Sequence, residues 1–194
     1  MYQWKTKSLK DIFLVLANHN YSKTLDQKLS NASFCHIRCN RALGARLRYE
    51  LYTQVQFNQL LNLRSRYIAG TGLRFKFTNK NLFKSYLGVA IFYEYEESIE
   101  LKNRAFHNDF RMPNYLVLSL KLPNEKGELT STTNYQPLLE KFNDFRFSNQ
   151  TTLFFNFNKK LAFTSSFSYF FDKIPPSGIA TETVSFENGI RLNF

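Results

Sequence analysis

Glycine and proline are scarce in this chain, 7 and 5 of 194 residues, and there are only two cysteines. So little Gly and Pro excludes collagen-like and Pro/Gly-rich disordered chains. Two cysteines exclude a small disulfide scaffold. Cys35 and Cys39 are four residues apart, which along one strand is about 13 Å and beyond disulfide reach. His36 between them falls on the opposite face, so the three cannot converge on one metal ion. No run of about 18 apolar residues is present, which excludes a transmembrane helix. The sequence also lacks a Gly-x-Ser-x-Gly elbow, a phosphate-cradling glycine loop and metal-ligand spacing. No cofactor or metal is therefore expected.

What the chain has in abundance is aromatic side chains, 21 Phe and 11 Tyr, combined with a negative mean hydropathy of −0.37. That pairing is expected where every second residue faces lipid and the others face water. The formal net charge is +11, but Lys and Arg are spread over strands and turns rather than clustered on one stripe. The dispersal argues against nucleic acid as a partner. It suits a protein meeting anionic lipid head groups and lipopolysaccharide.

Period-two alternation recurs along the whole chain. Leu47, Tyr49, Leu51, Thr53, Val55 and Phe57 alternate with Arg48, Glu50, Tyr52, Gln54 and Gln56. Tyr67, Ala69, Thr71, Leu73, Phe75 and Phe77 alternate with Arg66, Gly70, Gly72, Arg74 and Lys76, and the pattern returns over 87–96 and 161–172. It predicts about ten strands, at 10–21, 31–41, 45–57, 61–77, 84–97, 111–122, 128–138, 143–157, 161–172 and 182–194. Several exceed ten residues, longer than a soluble sheet uses and long enough to cross a bilayer when tilted. The predicted fold is all-β, a single domain over 1–194: an antiparallel up-and-down transmembrane β-barrel of the outer membrane.

Long connections are predicted at 22–30, 98–110 and 173–181, and short turns at 41–44, 78–81, 123–127 and 158–160. Barrels of this kind put short turns in the periplasm and longer loops outside. With the C-terminus periplasmic, the short turns fall inside and the long loops outside; the short link at 58–60 is the exception. In the last strand Val184, Phe186, Ile190, Leu192 and the terminal Phe194 share a face. A closing strand of alternating apolar residues ending on Phe is expected to address the barrel assembly machinery. Met1 to Lys10 followed by the six apolar residues from Ile12 to Ala17 is a poor signal peptide, so this stretch reads as strand and the true signal is expected to lie outside this chain.

Charges on the polar faces cannot meet lipid and must meet one another or water. They are Arg38, Arg48, Glu50, Arg64, Arg66, Arg74, Glu94, Glu96, Asp144, Arg146, Glu187 and Arg191. On neighbouring strands they form basic and acidic columns, predicted to fill a narrow lumen as a network rather than line an open pore. Gly70, Gly72, Gly88 and Ala90 leave a strip without bulk, where a lumen side chain can approach the wall. No catalytic residue is assigned. The alternative, an outer-membrane enzyme acting on lipid or lipopolysaccharide, rests on His107 in the loop beside Asn108, Asp109 and Arg111.

Three stretches, 34–40, 52–58 and 66–75, together with Asn134-Tyr135-Gln136-Pro137, Asp144-Phe145-Arg146 and Pro175-Pro176-Ser177-Gly178, resemble the salt-induced outer-membrane proteins. These are a domain family of unknown function, here in its Bacteroidetes-like form, and the resemblance covers nearly the whole chain. It departs at Cys39, where an aromatic is usual. It implies an outer-membrane barrel of about twelve strands in the complete protein, with Tyr2-Gln3-Trp4-Lys5-Thr6 as the tail of an earlier strand. It implies no reaction or ligand. The expectation is a structural, envelope-stress or narrow-pore protein, not an enzyme.

Overall fold

The structure is a computed structural model that describes residues 2–6, 8, 10–23, 28–100, 103–158 and 160–192. Its strands are β1 (Tyr2–Lys5), β2 (Asp11–Lys23), β3 (Lys28–Ala42), β4 (Leu47–Asn58), β5 (Leu63–Asn79), β6 (Phe83–Glu100), β7 (Asn103–Arg111), β8 (Asn114–Lys121), β9 (Gly127–Pro137), β10 (Phe145–Asn156), β11 (Leu161–Asp172) and β12 (Glu182–Leu192). All pair antiparallel in one sheet ordered β1-β2-β3-β4-β5-β6-β8-β9-β10-β11-β12, with β7 on β6. This is an up-and-down barrel wall. Among the described residues no pairing joins β12 to β1.

Two strands were not among the ten expected. Tyr2–Lys5 pairs with β2, Trp4 opposite Phe13, and the two rings stack at 4.7 Å. The described residues of the expected loop over 98–110 are instead strand, because β6 runs 18 residues and β7 pairs along its far half. The described residues of the 22–30 loop are likewise strand, with β2 and β3 extending to Lys23 and from Lys28, and residues 24–27 lie outside the described residues. β7 and β8 follow each other down β6, so they form one strand broken at Met112-Pro113. Pro113 has no N–H to give, yet its carbonyl accepts from Ala90 at 2.9 Å and holds the ladder across the break.

The turns β3–β4, β5–β6, β8–β9 and β10–β11 all lie at one end of the wall, called here the short-turn end. Asparagines make several of these bends. Asn124 adopts a left-handed conformation, φ 57°, which its short side chain tolerates better than most. Asn158 accepts the backbone N–H groups of Lys160 and Leu161.

The packing is inside-out. Among the described residues the buried apolar side chains are Leu63, Ile68, Ala90, Phe92 and Ala162 with Pro113 and Pro137, whereas ten polar or charged residues are buried. Leu51, Val55, Tyr67 and Phe77 are meanwhile exposed on the outer face. A water-soluble sheet would bury the second set and expose the first. A bilayer solvent reverses the choice, and a wall paired strand to strand leaves few backbone groups unsatisfied in it. Across β9 and β10 the outer face carries a polar cluster that satisfies itself. Asn149 donates to Ser131 at 3.2 Å and Thr133 at 2.9 Å, and Thr151 donates to Asn149 at 3.0 Å.

Candidate functional site

The inward side chains of β5, β6, β7, β10 and β11 meet in an ion-pair belt near the end opposite the short turns. Alternation from Arg74 down β5 and from Ala90 up β6 brings Arg66 opposite Glu96. Arg66 donates to Glu96 at 2.6 Å and stands 3.5 Å from Glu94. Arg146, at the start of β10, makes the widest set of contacts. Its guanidinium donates to both oxygens of Glu94 at 2.8 and 3.0 Å, to Glu96 at 3.2 Å and to Asp172 at 3.0 Å. Glu94 is 1 % exposed and Arg146 8 %. Charges so buried are tolerated only when fully paired.

Arg111 completes the belt. It lies 3.6 Å from Glu94 and 3.7 Å from Asp109, and donates to Asp144 and to the Gln136 carbonyl at 3.3 Å. The belt thus sets the carboxylates of Glu94, Glu96, Asp109, Asp144 and Asp172 against the guanidiniums of Arg66, Arg111 and Arg146. It has an acidic excess and opens beside His107, Ile174 and Pro176 through a cavity of about 210 Å³.

A second cluster surrounds Glu50 on β4. Tyr115, three places along the sheet on β8, donates to it at 2.6 Å. Arg38 and Arg74 flank the same carboxylate at 3.9 and 3.8 Å. The reach is possible because Tyr115 lies over Gly88, where a Cβ would collide with its ring. Tyr52 sits over Gly70 in the same way. The expected bulk-free strip is the bed of these two tyrosines. Between belt and cluster is a cavity of about 400 Å³ whose lining includes His36, Tyr52, Gln54, Phe92 and Tyr115.

Eight of the twelve charges singled out from sequence take part in these clusters or line their cavities from the strand positions expected: Arg38, Arg48, Glu50, Arg66, Arg74, Glu94, Glu96 and Arg146. Four are placed differently. Arg64 is the extra residue of a bulge between Leu63 and Ser65, which turns it out to the rim, 46 % exposed and 3.5 Å from Glu97. Asp144 joins the belt, but from the turn before β10 rather than from a strand. Glu187 and Arg191 are exposed on β12, and among the described residues they make no ion pair and their strand has no neighbour on its outer edge. Phe186, Ile190 and Leu192 share one exposed face of β12, and Phe194 lies outside the described residues.

Arg111, Asp109, Asp172 and Tyr115 were absent from the expected network. Asp172 was legible as the last inward residue of its strand. Cys35 and Cys39 are free, and buried His36 donates from Nδ1 to the Gln54 amide oxygen at 3.3 Å on the other face.

An inside-out antiparallel wall with a charged, buried interior defines an outer-membrane β-barrel. The chain belongs to the family described as "Protein of unknown function, DUF481", which matches residues 3–190. Among solved structures it is similar to the NanC porin in a rhombohedral crystal form, with a TM-score of 0.52 over 95 % of this chain and 94 % of that one. Identity is 12 %, so the likeness is one of fold. Among curated proteins none matches the sequence.

Proposed function

We propose that this barrel is a non-enzymatic protein of the outer membrane whose interior is narrowed by the ion-pair belt, so that it acts as a structural or low-conductance element of the envelope. One observation carries the reading: Arg146 bridges Glu94, Glu96 and Asp172 inside the wall and is almost fully buried. A wide aqueous channel would leave such groups hydrated and mobile. Paired at 2.8–3.2 Å, they act as packing.

The short-turn end, toward which β12 runs, is assigned to the periplasm on the rule that periplasmic turns are short. The exposed row Val184, Phe186, Ile190 and Leu192 suits recognition by the barrel assembly machinery, and the apolar outer face suits lipid and lipopolysaccharide. The cavity beside His107 has no hydroxyl or thiol in its described lining, which favours the non-enzymatic reading over lipid hydrolysis by a serine or cysteine nucleophile.

Reconstitution of the full protein in planar bilayers tests the proposal. The native protein is expected to show no conductance steps or only small ones, and Arg146→Ala larger ones. Large steps in the native protein, unchanged by the substitution, would sink it.

A further inference from the structure

At the short-turn end, the side of the interior formed by β3, β4 and β5 is strongly basic. Arg38, Arg48, Arg74, Lys76 and Arg46 gather there around a single carboxylate, that of Glu50. Five cations against one anion leave four positive charges. Glu50 hydrogen-bonds none of them: its Oε2 accepts from Tyr115, its Oε1 has no hydrogen-bond partner, and the flanking guanidiniums stand 3.8–3.9 Å away, too far for direct hydrogen bonds.

Beyond Glu50 opens a cavity of about 260 Å³, lined by Asn40, Arg46, Arg48, Arg74, Lys76 and Tyr86 among others, with no acidic side chain. Three buried atoms of these residues have no hydrogen-bond partner: Nη1 of Arg48, Nε of Arg74 and Oδ1 of Asn40. Buried polar groups are seldom left so, and a partner is normally found in a neighbour, a water or a ligand. Water would satisfy the hydrogen bonds but leave the charge unneutralised. The Arg74 guanidinium lies 4.3 Å from the Tyr86 ring centroid, a stacking that holds its fork in place before any ligand arrives.

We propose that this cavity binds a multiply charged oxyanion of the phosphate class, free in solution at the short-turn end. Several cations on different strands suit a dianion better than a single carboxylate, and guanidinium forks match its oxygens. Asn40 Oδ1 is the acceptor needed by the proton of a hydrogen phosphate. The site lies on the inner side of the wall, between Gln3 and Ile12 on one flank and Tyr86 on the other, which favours a solute over a lipid head group. The assignment holds whether or not the barrel conducts.

Calorimetric titration of the full protein in zwitterionic micelles with inorganic phosphate, at ionic strength fixed with sodium chloride, tests it. Saturable binding is expected, weakened about tenfold or more by Arg48→Gln and Arg74→Gln and unchanged by Arg64→Gln at the rim. Arg46→Gln, in an exposed turn where folding is least at risk, should weaken binding in the same direction. Acetate should bind more weakly than phosphate. Absence of saturable heat up to about 10 mM phosphate, or native affinity retained in both Arg46→Gln and Arg48→Gln, would overturn the site. Acetate binding as tightly as phosphate would overturn the ligand class. Loss of phosphate binding in phosphatidylglycerol vesicles but not in phosphatidylcholine vesicles would transfer the site to a lipid head group and overturn the free-anion assignment.

Discussion

The Tyr115 hydroxyl on β8 reaches Glu50 on β4 at 2.6 Å, with β5 and β6 between them. A tyrosine can lie flat along a sheet only where the strand it crosses has no side chain. Gly88 supplies that gap, while Gly72, opposite Glu50, and Ala90 keep the next strands low. The contact ties the middle of the wall to its basic end and gives a buried carboxylate its one short hydrogen bond.

Gly88→Val should break this link by sterics, since the new Cβ falls inside the Tyr115 ring. Displacing the ring and stripping Glu50 of its donor is expected to cost about 3 kcal/mol or more. Tyr115→Phe, which removes only the hydroxyl, should cost about 1.5–3 kcal/mol. Urea unfolding in lipid vesicles measures both. Equal, negligible effects would show that the contact is not formed in the folded barrel.

The two kinds of arginine at the far end should behave differently. Arg146→Ala leaves Glu94, Glu96 and Asp172 without their shared donor, and breaking a buried set of this kind costs about 3–5 kcal/mol. Arg64→Ala, at an exposed rim pair with Glu97, should cost less than about 1 kcal/mol and still less in high salt. Similar losses for the two would mean that the belt is hydrated rather than buried.

The parts of this arrangement legible in the sequence are those governed by local period two. The faces of β4, β6 and most of β5 follow from alternation alone, and with them the inward placing of Glu50, Arg66 and Glu94. β7 was hidden because His107, Asp109 and Arg111 alternate with Phe106, Asn108 and Phe110, a mix with too little apolar contrast on either face. Pairing with β6 makes it a strand. Arg64 was misplaced because one bulge reverses the phase of every residue beyond it. The Tyr115–Glu50 contact spans 65 residues of sequence, so only the sheet register could bring it about.

Cys35 and Cys39 offer a direct check on which face meets lipid. They lie opposite Val55 and Leu51 on the outer side of β3, beside exposed Ile37. In liposomes both thiols should resist a charged maleimide and react with an apolar one. A fluorophore attached at Cys35 should be quenched by brominated acyl chains. Rapid labelling by the charged reagent in intact vesicles would place this face in water.

His107→Ala is expected to leave lipid and lipopolysaccharide profiles of expressing cells unchanged, since its cavity offers no nucleophile among the described residues. Altered acylation in the native strain that disappears with this substitution would revive the enzymatic alternative.

The outer polar cluster gives a prediction whose sign depends on how many groups are removed. Asn149 donates to Ser131 and Thr133 and accepts from Thr151, all on a face that meets hydrocarbon. Asn149→Leu alone strands the Thr133 hydroxyl and leaves Ser131 and Thr151 only their mutual bond at 2.9 Å, without water to take the place of the lost partner, at a cost of about 1–3 kcal/mol. Adding Ser131→Ala, Thr133→Val and Thr151→Val removes the stranded groups as well. The quadruple variant should return to native stability or exceed it, because exchanging every partner for apolar groups of similar shape is nearly neutral or better. Urea titration in vesicles distinguishes the cases. A quadruple variant less stable than Asn149→Leu would mean that the cluster faces water or another protein surface, and that this part of the wall is not in lipid.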